Sequence, residues 1–385
     1  MRVLHIYEAK YFGGIQTYLI ALARLRSLCP RMEPEFALCF EGPLSEQLQA
    51  ANATVHPLGN VRIRYIWSVL RARQRLGTLL RKGNYDVAIC HSIWNQAIFG
   101  SVVRDAGVPL VFYQHNTFGQ HWFERWASRV LPDYAICNSH YTQGTFAEIY
   151  PGVESEVIYF PVAPPDRFSA QDRAAARTEF QTPADALVII QASQMAAWKG
   201  HILYLNAMAR LKQIPGWVAW IVGGPQLPSE TEYFTGLHEQ AARLGISDRL
   251  RFLGKRTDVP RLLAAADIFC QPNLGSPEPF GIVFVEALGA GLPVVSTAMG
   301  GVLEIVDESC GILVPPGDVS SLANALGQLL LDTDLRRKLA DHAPARAQFL
   351  CAPQRQMRIL EQVLNAVVNS GRQRPCRSRA GNSGN

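Results

Sequence analysis

The sequence predicts an α/β protein made of two layered domains with parallel sheets, and three observations support this. Short runs rich in β-branched and aromatic residues alternate with longer helical patterns along nearly the whole chain. The alternation starts again near residue 186, after a proline-rich stretch. The chain has 385 residues, and this length suits two domains of ~100–200 residues each. Strands separated by helices form parallel sheets covered on both faces, so each half is expected to be a Rossmann-like layer.

The strands are predicted from their apolar and β-branched composition. In the first half they cover residues 2–7, 35–40, 85–91, 109–115 and 134–139. In the second half they cover residues 186–193, 217–224, 250–254, 267–272, 293–297 and 311–316. Helical patterns lie between them, including residues 15–28 and 63–80 in the first half. Because helical patterns separate these strands, few neighbouring strands are expected to be joined directly as hairpins.

Three helices of the second half carry start signals. Ser229 has Glu232 three residues later, which is the spacing of a capping box. Asp258 precedes a Val-Pro pair, and proline is favoured in the first helical turn. Pro279 predicts the first turn of a third helix, which would continue from Phe280 to Leu288.

Composition shifts predict the domain boundaries. Residues 1–165 would form the N-terminal domain, and residues 166–350 the C-terminal domain. The proline-rich stretch 160–168 would link them. A C-terminal helix, 351–370, would pack back on the N-terminal domain, and 371–385 would be a disordered tail.

Composition also excludes several classes of protein. Hydrophobic residues make up 48% of the chain and charged residues 18%, as in ordinary globular proteins. The net charge of +5 is small and spread out, so nucleic acid is not an expected partner. No apolar run reaches the ~18 residues of a membrane-spanning helix, and no signal peptide is recognisable, so we expect a cytoplasmic protein. The eight cysteines show no zinc spacing, and we interpret them as core residues in a reducing compartment, with a metal or disulfide role as the weaker alternative.

The loops after the strands supply the candidate site residues, because ligands in open parallel sheets bind beyond the carboxyl ends of the strands. Gly13 and Gly14 precede a helix and would let the backbone approach a phosphate, although a plain tight turn has the same sequence. His115 ends a strand, as a ligand contact or as a buried core histidine. Lys199 precedes a helix, as a counter-charge for phosphates or as a surface lysine.

Two carboxylates in the segment 275–296 complete the candidates. Glu278 would lie at the mouth of the predicted helix, as a ligand contact or as a helix cap. Glu286 lies eight residues later among apolar neighbours, where a carboxylate needs partners. Those partners are either the hydroxyls of a bound sugar or a structural arginine.

Several motifs together resemble those of the retaining glycosyltransferases of family 4. They are EPFGIVFVE with Glu278 and Glu286 separated by seven residues, ALGAGLPVVST, GGVLEIV, GILVPPGD, WKGH, FLGKRTDVPRLLAAADIF and the early GGIQTYLIALA. The resemblance covers most of the chain and is most specific from about residue 186 to 318. It implies the GT-B fold, in which two Rossmann-like domains face each other across a cleft. By this resemblance, residues 1–165 would be the acceptor-side domain and residues 166–350 the domain that binds a nucleotide sugar.

The resemblance also implies roles for individual residues. Glu278 would contact the donor sugar hydroxyls, Glu286 the ribose hydroxyls, Lys199 the diphosphate, and His115 the transferred sugar. The other donor-binding residues that it implies are Gly13, Gly14, Gln194, Arg256, Phe280, Gly281 and Ile282. His115, Lys199 and Glu278 would be the catalytic residues, with no metal and no cofactor besides the nucleotide-sugar substrate.

One position departs from the family pattern. The family usually has an arginine five residues before the lysine, and this chain has Gln194 there. Losing a cation that stabilises the leaving diphosphate would cost ~2–4 kcal/mol of transition-state stabilisation, by analogy with the loss of a single donor. Either another cation compensates, with Arg256 as the candidate, or the enzyme is slow, or it no longer transfers sugar.

The segment 61–82 predicts a basic, amphipathic helix with seven Arg and Lys residues together with Tyr65 and Trp67. Such a helix binds anionic membrane surfaces, which would place the protein at the inner face of the cytoplasmic membrane. A solvated outer helix of a Rossmann-like domain has the same pattern.

Three functions are therefore considered. The first is retaining transfer of a sugar from a nucleotide-diphosphate sugar to a glycan or lipid-linked acceptor, in cell-surface polysaccharide synthesis. The second is a degenerate GT-B protein that binds nucleotide or glycan without turnover, as Gln194 suggests. The third, a nucleotide-sugar epimerase, is disfavoured by the motifs between residues 275 and 318.

Overall fold

The structure is a computed structural model that describes residues 1–9, 13–119, 122–165 and 168–373. The chain divides into two units. The N-terminal unit comprises residues 1–138 and 142–161 together with the chain from Pro353 onward. The C-terminal unit comprises Ser139–Tyr141 and Val162–Ala352.

Within its described residues, the N-terminal unit has one sheet of seven parallel strands. They are β1 (Arg2–Tyr7), β2 (Glu33–Leu38), β3 (Thr54–Pro57), β4 (Val87–Cys90), β5 (Leu110–Gln114), β6 (Tyr134–Cys137) and β7 (Ser155–Val157). Their order is β3-β2-β1-β4-β5-β6-β7. The order therefore reverses between β1 and β4, the kind of position where parallel sheets bind ligands.

A helix follows each of the first six strands. These helices are α1 (Gly14–Arg24), α2 (Pro43–Ala50), α3 (Ile66–Gly83), α4 (Ile93–Asp105), α5 (Trp122–Ala127) and α6 (His140–Ile149). Side chains of β1, β4 and β5 such as Ile6, Cys90 and Phe112 are fully or almost fully buried in the core of this unit.

The C-terminal unit contains a second sheet, again all parallel, with the order β10-β9-β8-β11-β12-β13 in the described part of the chain. Its strands are β8 (Leu187–Ala192), β9 (Trp217–Val222), β10 (Leu250–Gly254), β11 (Ile268–Gln271), β12 (Val294–Thr297) and β13 (Gly311–Val314). Its helices are α7 (Ala170–Glu179), α8 (His201–Arg210), α9 (Pro228–Leu244), α10 (Val259–Ala265), α11 (Ile282–Gly289), α12 (Val302–Ile305), α13 (Val319–Leu331) and α14 (Thr333–Cys351).

A final helix, α15 (Pro353–Gln373), belongs to the N-terminal unit. The Cys29 thiol donates to the Met357 carbonyl at 3.0 Å, and Arg31 pairs with Glu361 at 3.2 Å. Helix α15 runs three residues into the stretch expected to be a disordered tail. The remainder of that stretch, with Cys376, lies outside the described residues, as do residues 166 and 167 of the expected linker.

The structure confirms all eleven predicted strands and adds β3 and β7, which the sequence did not predict. Both additional strands lie at sheet edges, have only four and three residues, and are not fully buried. An edge strand has one exposed side, so it lacks the continuous apolar run by which a central parallel strand is recognised.

Two predicted helix starts are wrong. Helix α9 begins at Pro228, so Ser229 is a helical residue; the carboxylate of Glu230 instead accepts the N–H groups of Gln226 and Leu227. Helix α11 begins at Ile282 rather than in the Pro279–Phe280 turn. The expected start at Asp258 is confirmed.

Two further expectations concern membranes and cysteines. In the part of the chain that the structure describes, no helix combines the length and the apolar character needed to cross a bilayer. The cysteines predicted to lie in the core are confirmed there, since the seven cysteines within the described residues are all buried.

Candidate active site

A buried ion pair lies at the carboxyl edge of the C-terminal sheet. The Lys199 ammonium Nζ is 2.6 Å from Glu278 Oε2, and the two residues are 9% and 7% exposed. Lys199 ends a single 3-10 turn after β8, and its ammonium lies 3.9 Å from the centroid of the Trp198 ring. The Gln191 side chain donates to the Lys199 carbonyl at 2.9 Å and fixes this turn. Lys199 is therefore not the solvated surface lysine that the sequence also allowed.

Only one of the two oxygens of the Glu278 carboxylate accepts hydrogen bonds from described residues. Its Oε2 accepts from Lys199 and also from the amide groups of Gln271 at 3.2 Å and Asn273 at 3.0 Å. Its Oε1 receives no hydrogen bond from any described residue. Since a carboxylate oxygen has further acceptor capacity, Oε1 can accept a hydroxyl group of a ligand.

The backbone around Glu278 is packed too closely for side chains at two glycines. Gly281 has φ of +94°, and a Cβ there would lie 2.9 Å from Glu278 Cγ. Gly300 has φ of +66°, and a Cβ there would overlap the Glu278 carbonyl oxygen. That carbonyl accepts the Gly301 N–H at 2.7 Å. The left-handed φ of Gly281 also explains why α11 begins only at Ile282.

This start places Glu278 before the helix rather than at its mouth. The side chain of Glu278 pairs with Lys199 and does not cap α11, for which no side-chain cap is present. Phe280 is 1% exposed, and Ile282 is the first residue of the helix. The N–H groups of this first turn have no partners inside the helix, so the turn favours anions such as phosphate.

Glu286 lies on α11, half-buried, and no described residue gives it a hydrogen bond or an ion pair. Of the two expected kinds of partner, a structural arginine is therefore not found within the described residues. Burial raises the pKa of Glu286 to about 7. A carboxylate without a protein partner in this position can accept hydroxyl groups from a ligand.

The two residues considered for a second cation site differ in their surroundings. Gln194 follows β8 and is exposed. The Arg256 guanidinium is paired with Asp258 at 2.8 Å and with Glu179 at 3.2 Å. The hydrogen bond from Arg256 lowers the pKa of Asp258 to about 2. Arg256 is therefore already paired with two carboxylates, both of which also pair with Arg261.

An Asp-x-Asp sequence occurs at Asp332 and Asp334, and it acts as a helix start. The Asp332 carboxylate accepts the Leu335 N–H at 2.9 Å and caps α14. Among the residues whose placement is described, no group of three or more His, Cys, Asp and Glu side chains could hold a metal ion.

In the N-terminal unit, α1 begins at Gly14, directly after the predicted Gly-Gly pair. The Gly13 N–H donates to the Gln16 side chain at 2.8 Å, so it is already used within the protein. Gly14 is exposed, and no described residue beyond its chain neighbours lies within 4 Å of the position a Cβ would take. Of the two glycines, Gly14 is the one whose surroundings leave room for a ligand.

His115 directly follows β5 and is 4% exposed. Its Nε2 lies 2.9 Å from His91 Nδ1, and its ring is stacked on the Tyr113 ring at 4.2 Å between centroids. Burial lowers its pKa to about 3, so the ring is uncharged near neutral pH. Its Nδ1 is buried, and no described residue forms a hydrogen bond with it. His115 is thus a buried histidine in which only one of the two ring nitrogens forms a hydrogen bond with a described residue.

Sequence reasoning missed a third carboxylate, Glu8, which follows β1. It accepts from the Ser92 hydroxyl at 2.8 Å and from the Asn95 side chain. Burial raises its pKa. It also missed Gln271 and Asn273 at the end of β11. All of these residues lie at or just beyond the carboxyl ends of strands, and this position was the available signal.

The comparisons with known proteins agree across the chain. Residues 12–164 match the model of Glycosyltransferase Family 4, and residues 172–346 match the model of Glycosyl transferases group 1. Together the two matched regions include every site residue that was predicted from the sequence.

Three relatives illustrate the range of similar proteins. A lipopolysaccharide core biosynthesis glycosyltransferase, LpsE of Rhizobium meliloti, is 36% identical over 46% of this chain and 49% of its own length. A D-inositol 3-phosphate glycosyltransferase of Mycobacteroides abscessus is 35% identical over 51% of this chain and 42% of its own length. The chain thus spans about half the length of these curated relatives. The corresponding protein of Saccharomonospora viridis is 31% identical over 69% of this chain and 67% of its own length.

Solved structures agree over almost the full length. HepE of Anabaena, in complex with UDP and glucose, has a TM-score of 0.84 and 27% identity, covering 95% of this chain and 100% of that chain. A glycosyltransferase of Rickettsia africae has a TM-score of 0.83 at 18% identity, covering 95% and 98%.

Proposed function

Since the chain belongs to the group 1 glycosyltransferases and has their GT-B fold, we propose that it transfers a sugar from a nucleotide-diphosphate sugar to a glycan or lipid-linked acceptor, with retention of configuration. The observation that carries this proposal is the arrangement of Lys199, Glu278 and Glu286 in the C-terminal unit. The Lys199 cation suits a diphosphate. The carboxylates of Glu278, which has one oxygen without a described partner, and of Glu286, which has no described partner, suit two sets of sugar hydroxyls.

Uridine diphosphate hexoses are the donors that we propose to test first. HepE, solved with UDP and glucose and also with UDP-glucose, is 27% identical to this chain. A cell-surface glycan or glycolipid is the acceptor class we propose, because LpsE is named for lipopolysaccharide core biosynthesis.

Each side chain has a role in this proposal. Lys199 has three N–H donors and uses one of them on Glu278, so it keeps two for the diphosphate. Glu278 Oε1 accepts a hydroxyl of the transferred sugar, and Glu286 accepts the ribose hydroxyls. The first turn of α11, with Gly281 and Ile282, and Gly14 at the start of α1 bring backbone N–H groups to the phosphates. His115 contacts the transferred sugar.

The chemical step that we propose needs no covalent enzyme intermediate. The bond between the anomeric carbon and the phosphate oxygen breaks while the acceptor oxygen bonds to that carbon on the same face. The acceptor proton passes to the departing phosphate oxygen, which becomes more basic as the bond breaks. Lys199 and the α11 N-terminus stabilise the charge that develops on the diphosphate. We propose this step without a metal.

A second candidate is a protein that binds nucleotide or glycan without turnover, and Gln194 favours it. With Gln194 in place of an arginine and Arg256 already paired, the cation assigned to the diphosphate is Lys199, which is itself paired with Glu278. Losing one donor of this type costs ~2–4 kcal/mol in the transition state. Binding without turnover would be the result if that loss is not compensated.

One experiment distinguishes the two candidates. Calorimetry with UDP and UDP-glucose measures binding, and release of UDP in the presence and absence of a lipid-linked acceptor measures turnover. We expect micromolar binding that is weakened in Lys199→Ala, and turnover that is lost in Glu278→Gln. Lys212→Ala, an exposed lysine after α8, is the control and should leave both unchanged. Binding without any UDP release would support the second candidate.

We also propose that the protein binds the inner face of the cytoplasmic membrane through the first turns of α3. Tyr65, Ile66 and Trp67 are 53%, 57% and 75% exposed there. Arg64 and Arg71 are also exposed and can bind anionic lipid headgroups. By contrast, Arg73 and Arg75 donate to the carbonyls of Ile98 and Leu58 and hold α3 in place. A lipid-linked acceptor would be reached from this surface.

A further inference from the structure

Three histidines on neighbouring strands of the N-terminal sheet form a continuous hydrogen-bonded chain. His5 lies in β1, and His91 and His115 directly follow β4 and β5. His5 Nδ1 is 2.8 Å from His91 Nε2, and His91 Nδ1 is 2.9 Å from His115 Nε2. The strands pair in the order β1-β4-β5, so the chain crosses the sheet and ends at its carboxyl edge.

All three rings are uncharged. His5 and His91 are 0% exposed, and burial lowers the pKa of each of the three rings far below its usual value. A neutral imidazole has one N–H and one bare nitrogen, so a ring that donates from one nitrogen accepts at the other. The two hydrogen bonds must therefore run in the same direction along the chain. One end of the chain then presents an N–H and the other end a lone pair.

The two ends differ in their surroundings. The outer nitrogen of His5, Nε2, is buried and has no hydrogen-bond partner among the described residues, and its ring stacks on Phe36 with centroids 5.2 Å apart. The outer nitrogen of His115, Nδ1, is also buried with no partner in the part of the chain that the structure describes, but His115 lies where ligands of parallel sheets bind. An orphaned buried N–H is rarer than an under-used acceptor. The N–H is thus better placed at His115, where a ligand can accept it.

We propose that His5 and His91 are positioning residues that hold His115 as the Nδ1–H tautomer, so that His115 Nδ1 donates a hydrogen bond to a hydroxyl oxygen of the transferred sugar. In this arrangement His5 Nδ1–H donates to His91 Nε2, and His91 Nδ1–H donates to His115 Nε2. The inference rests on the proposed function, because a sugar supplies the acceptor of the last bond.

The chain has no second use as a proton path through the described residues. At the His5 end of the chain, Nε2 has no hydrogen-bond partner among the described residues that could take up or release a proton. The rings therefore fix an orientation and a tautomer. The aromatic rings of Tyr18, Tyr113 and Phe160 pack around His115 and restrict its ring further.

The test begins with the tautomers in the full-length protein, labelled with ¹⁵N in its histidines. Long-range ¹H–¹⁵N spectra distinguish a protonated ring nitrogen from a bare one, and single histidine variants assign the signals. We expect a protonated Nδ1 and a bare Nε2 in each of the three rings. A protonated Nε2 on His115 would overturn the proposal, whatever the activity of the protein.

Variants then test the coupling. His91→Phe removes both hydrogen bonds but keeps a planar ring, and we expect a mixture of tautomers on His115 and about a tenfold lower kcat/KM, as for one lost hydrogen bond. Binding of UDP alone, measured by calorimetry, should not change, because UDP carries no transferred sugar. His5→Phe serves as a second variant if His91→Phe does not fold.

The control is Phe36→Leu, which alters the packing against His5 without removing a ring nitrogen. We expect it to keep the Nδ1–H tautomer on His115. An unchanged tautomer and kcat/KM in the histidine variants would refute the positioning role. If UDP does not bind to the protein with its native sequence, the proposed uridine donor fails instead, and the tautomer measurement still decides the direction of the chain.

Discussion

Lys199 and Glu278, 79 residues apart in the sequence, form a 2.6 Å ion pair from which water is nearly excluded. The pair joins the turn after β8 to the loop after β11, two strands that are neighbours in the sheet. A buried pair is costly to break from one side, because the remaining charge has no partner. The same two residues that we assign to the donor therefore also hold the two loops together.

This gives the first prediction. Lys199→Met should lower the free energy of unfolding by about 3 kcal/mol, since it leaves the Glu278 carboxylate buried without its cation. The double variant Lys199→Met with Glu278→Leu should recover most of that loss, because no charge remains. Urea denaturation of the two variants measures the difference. Equal losses in the single and double variants would contradict a stabilising coupling between the side chains.

The second prediction concerns the close contact at Gly300. Gly300→Ala should reduce turnover more than tenfold, because its Cβ would overlap the Glu278 carbonyl and displace the carboxylate. Gly275→Ala is the matched control: Gly275 has a similar φ of +78° but nothing within 4 Å of a Cβ. The control should lose ~1–2 kcal/mol of stability from the left-handed backbone and keep its turnover. Similar turnover in both variants would mean that the contact does not position Glu278.

Glu286 gives a prediction in pH. Its pKa rises from 4.5 to about 7 in the folded protein, so the native state binds more protons than the unfolded state between these values. Stability contributed by this group is therefore present below pH 4.5 and lost as the pH rises through 7, by roughly 3 kcal/mol at most. The free energy of unfolding that Glu286→Gln gains over the native sequence should therefore be larger at pH 8 than at pH 5.

The stability of Glu286→Gln must be compared with that of the native sequence at each pH, because buried histidines change stability with pH in the opposite direction. The pKa of His201 falls to about 4 and that of His5 to about 3. The stability that these neutral histidines contribute is lost as the pH falls below 6.5. Both proteins contain these histidines, so subtraction of the two urea-denaturation curves at each pH isolates Glu286. A difference that does not change with pH would refute the raised pKa.

The fourth prediction tests the missing arginine. Gln194→Arg should raise the rate of sugar transfer roughly tenfold to a hundredfold, because it restores a cation for the leaving diphosphate. Gln213→Arg, which adds the same charge at an exposed position after α8, is the control and should have no effect. Initial rates of UDP release under saturating donor check this. No gain in Gln194→Arg would indicate that another group already stabilises the diphosphate.

The fifth prediction concerns the aromatic turn of α3. Replacing Trp67 with Ser should weaken sedimentation with phosphatidylglycerol vesicles several-fold, because it removes a large apolar group from the proposed membrane contact. Leu331→Ser, at an exposed residue (71%) of the C-terminal unit, is the control and should sediment as the native sequence does. Equal sedimentation of both variants would exclude this turn as the contact.

Much of the fold could be predicted from the sequence, because central parallel strands are buried on both faces and have continuous apolar runs. The Glu278 and Glu286 positions were recognisable from a motif contained in one short segment. The start of α11 was not, since it depends on the left-handed backbone of Gly281 and on close packing with Glu278. Local preferences favoured a start at Pro279, three residues before Ile282.

The partners of the site residues could not be predicted for a different reason. Asn273 and Gln271 bind Glu278 only because the chain returns to the same strand end. The three-histidine chain joins residues of β1, β4 and β5 that are up to 110 positions apart. Spacing along one segment gives no information on such contacts, and only the order of strands in the sheet brings the rings together.

The return of α15 to the N-terminal unit has a consequence for synthesis on the ribosome. Met357, Leu360 and Leu364 of this helix are buried, and the bond from Cys29 to Met357 joins residues 328 positions apart. The N-terminal unit emerges first but is not complete until α15, which follows the C-terminal unit in sequence, has been translated. The C-terminal unit is nearly contiguous in sequence and lacks this dependence. In this protein, the half that is made second can finish folding first.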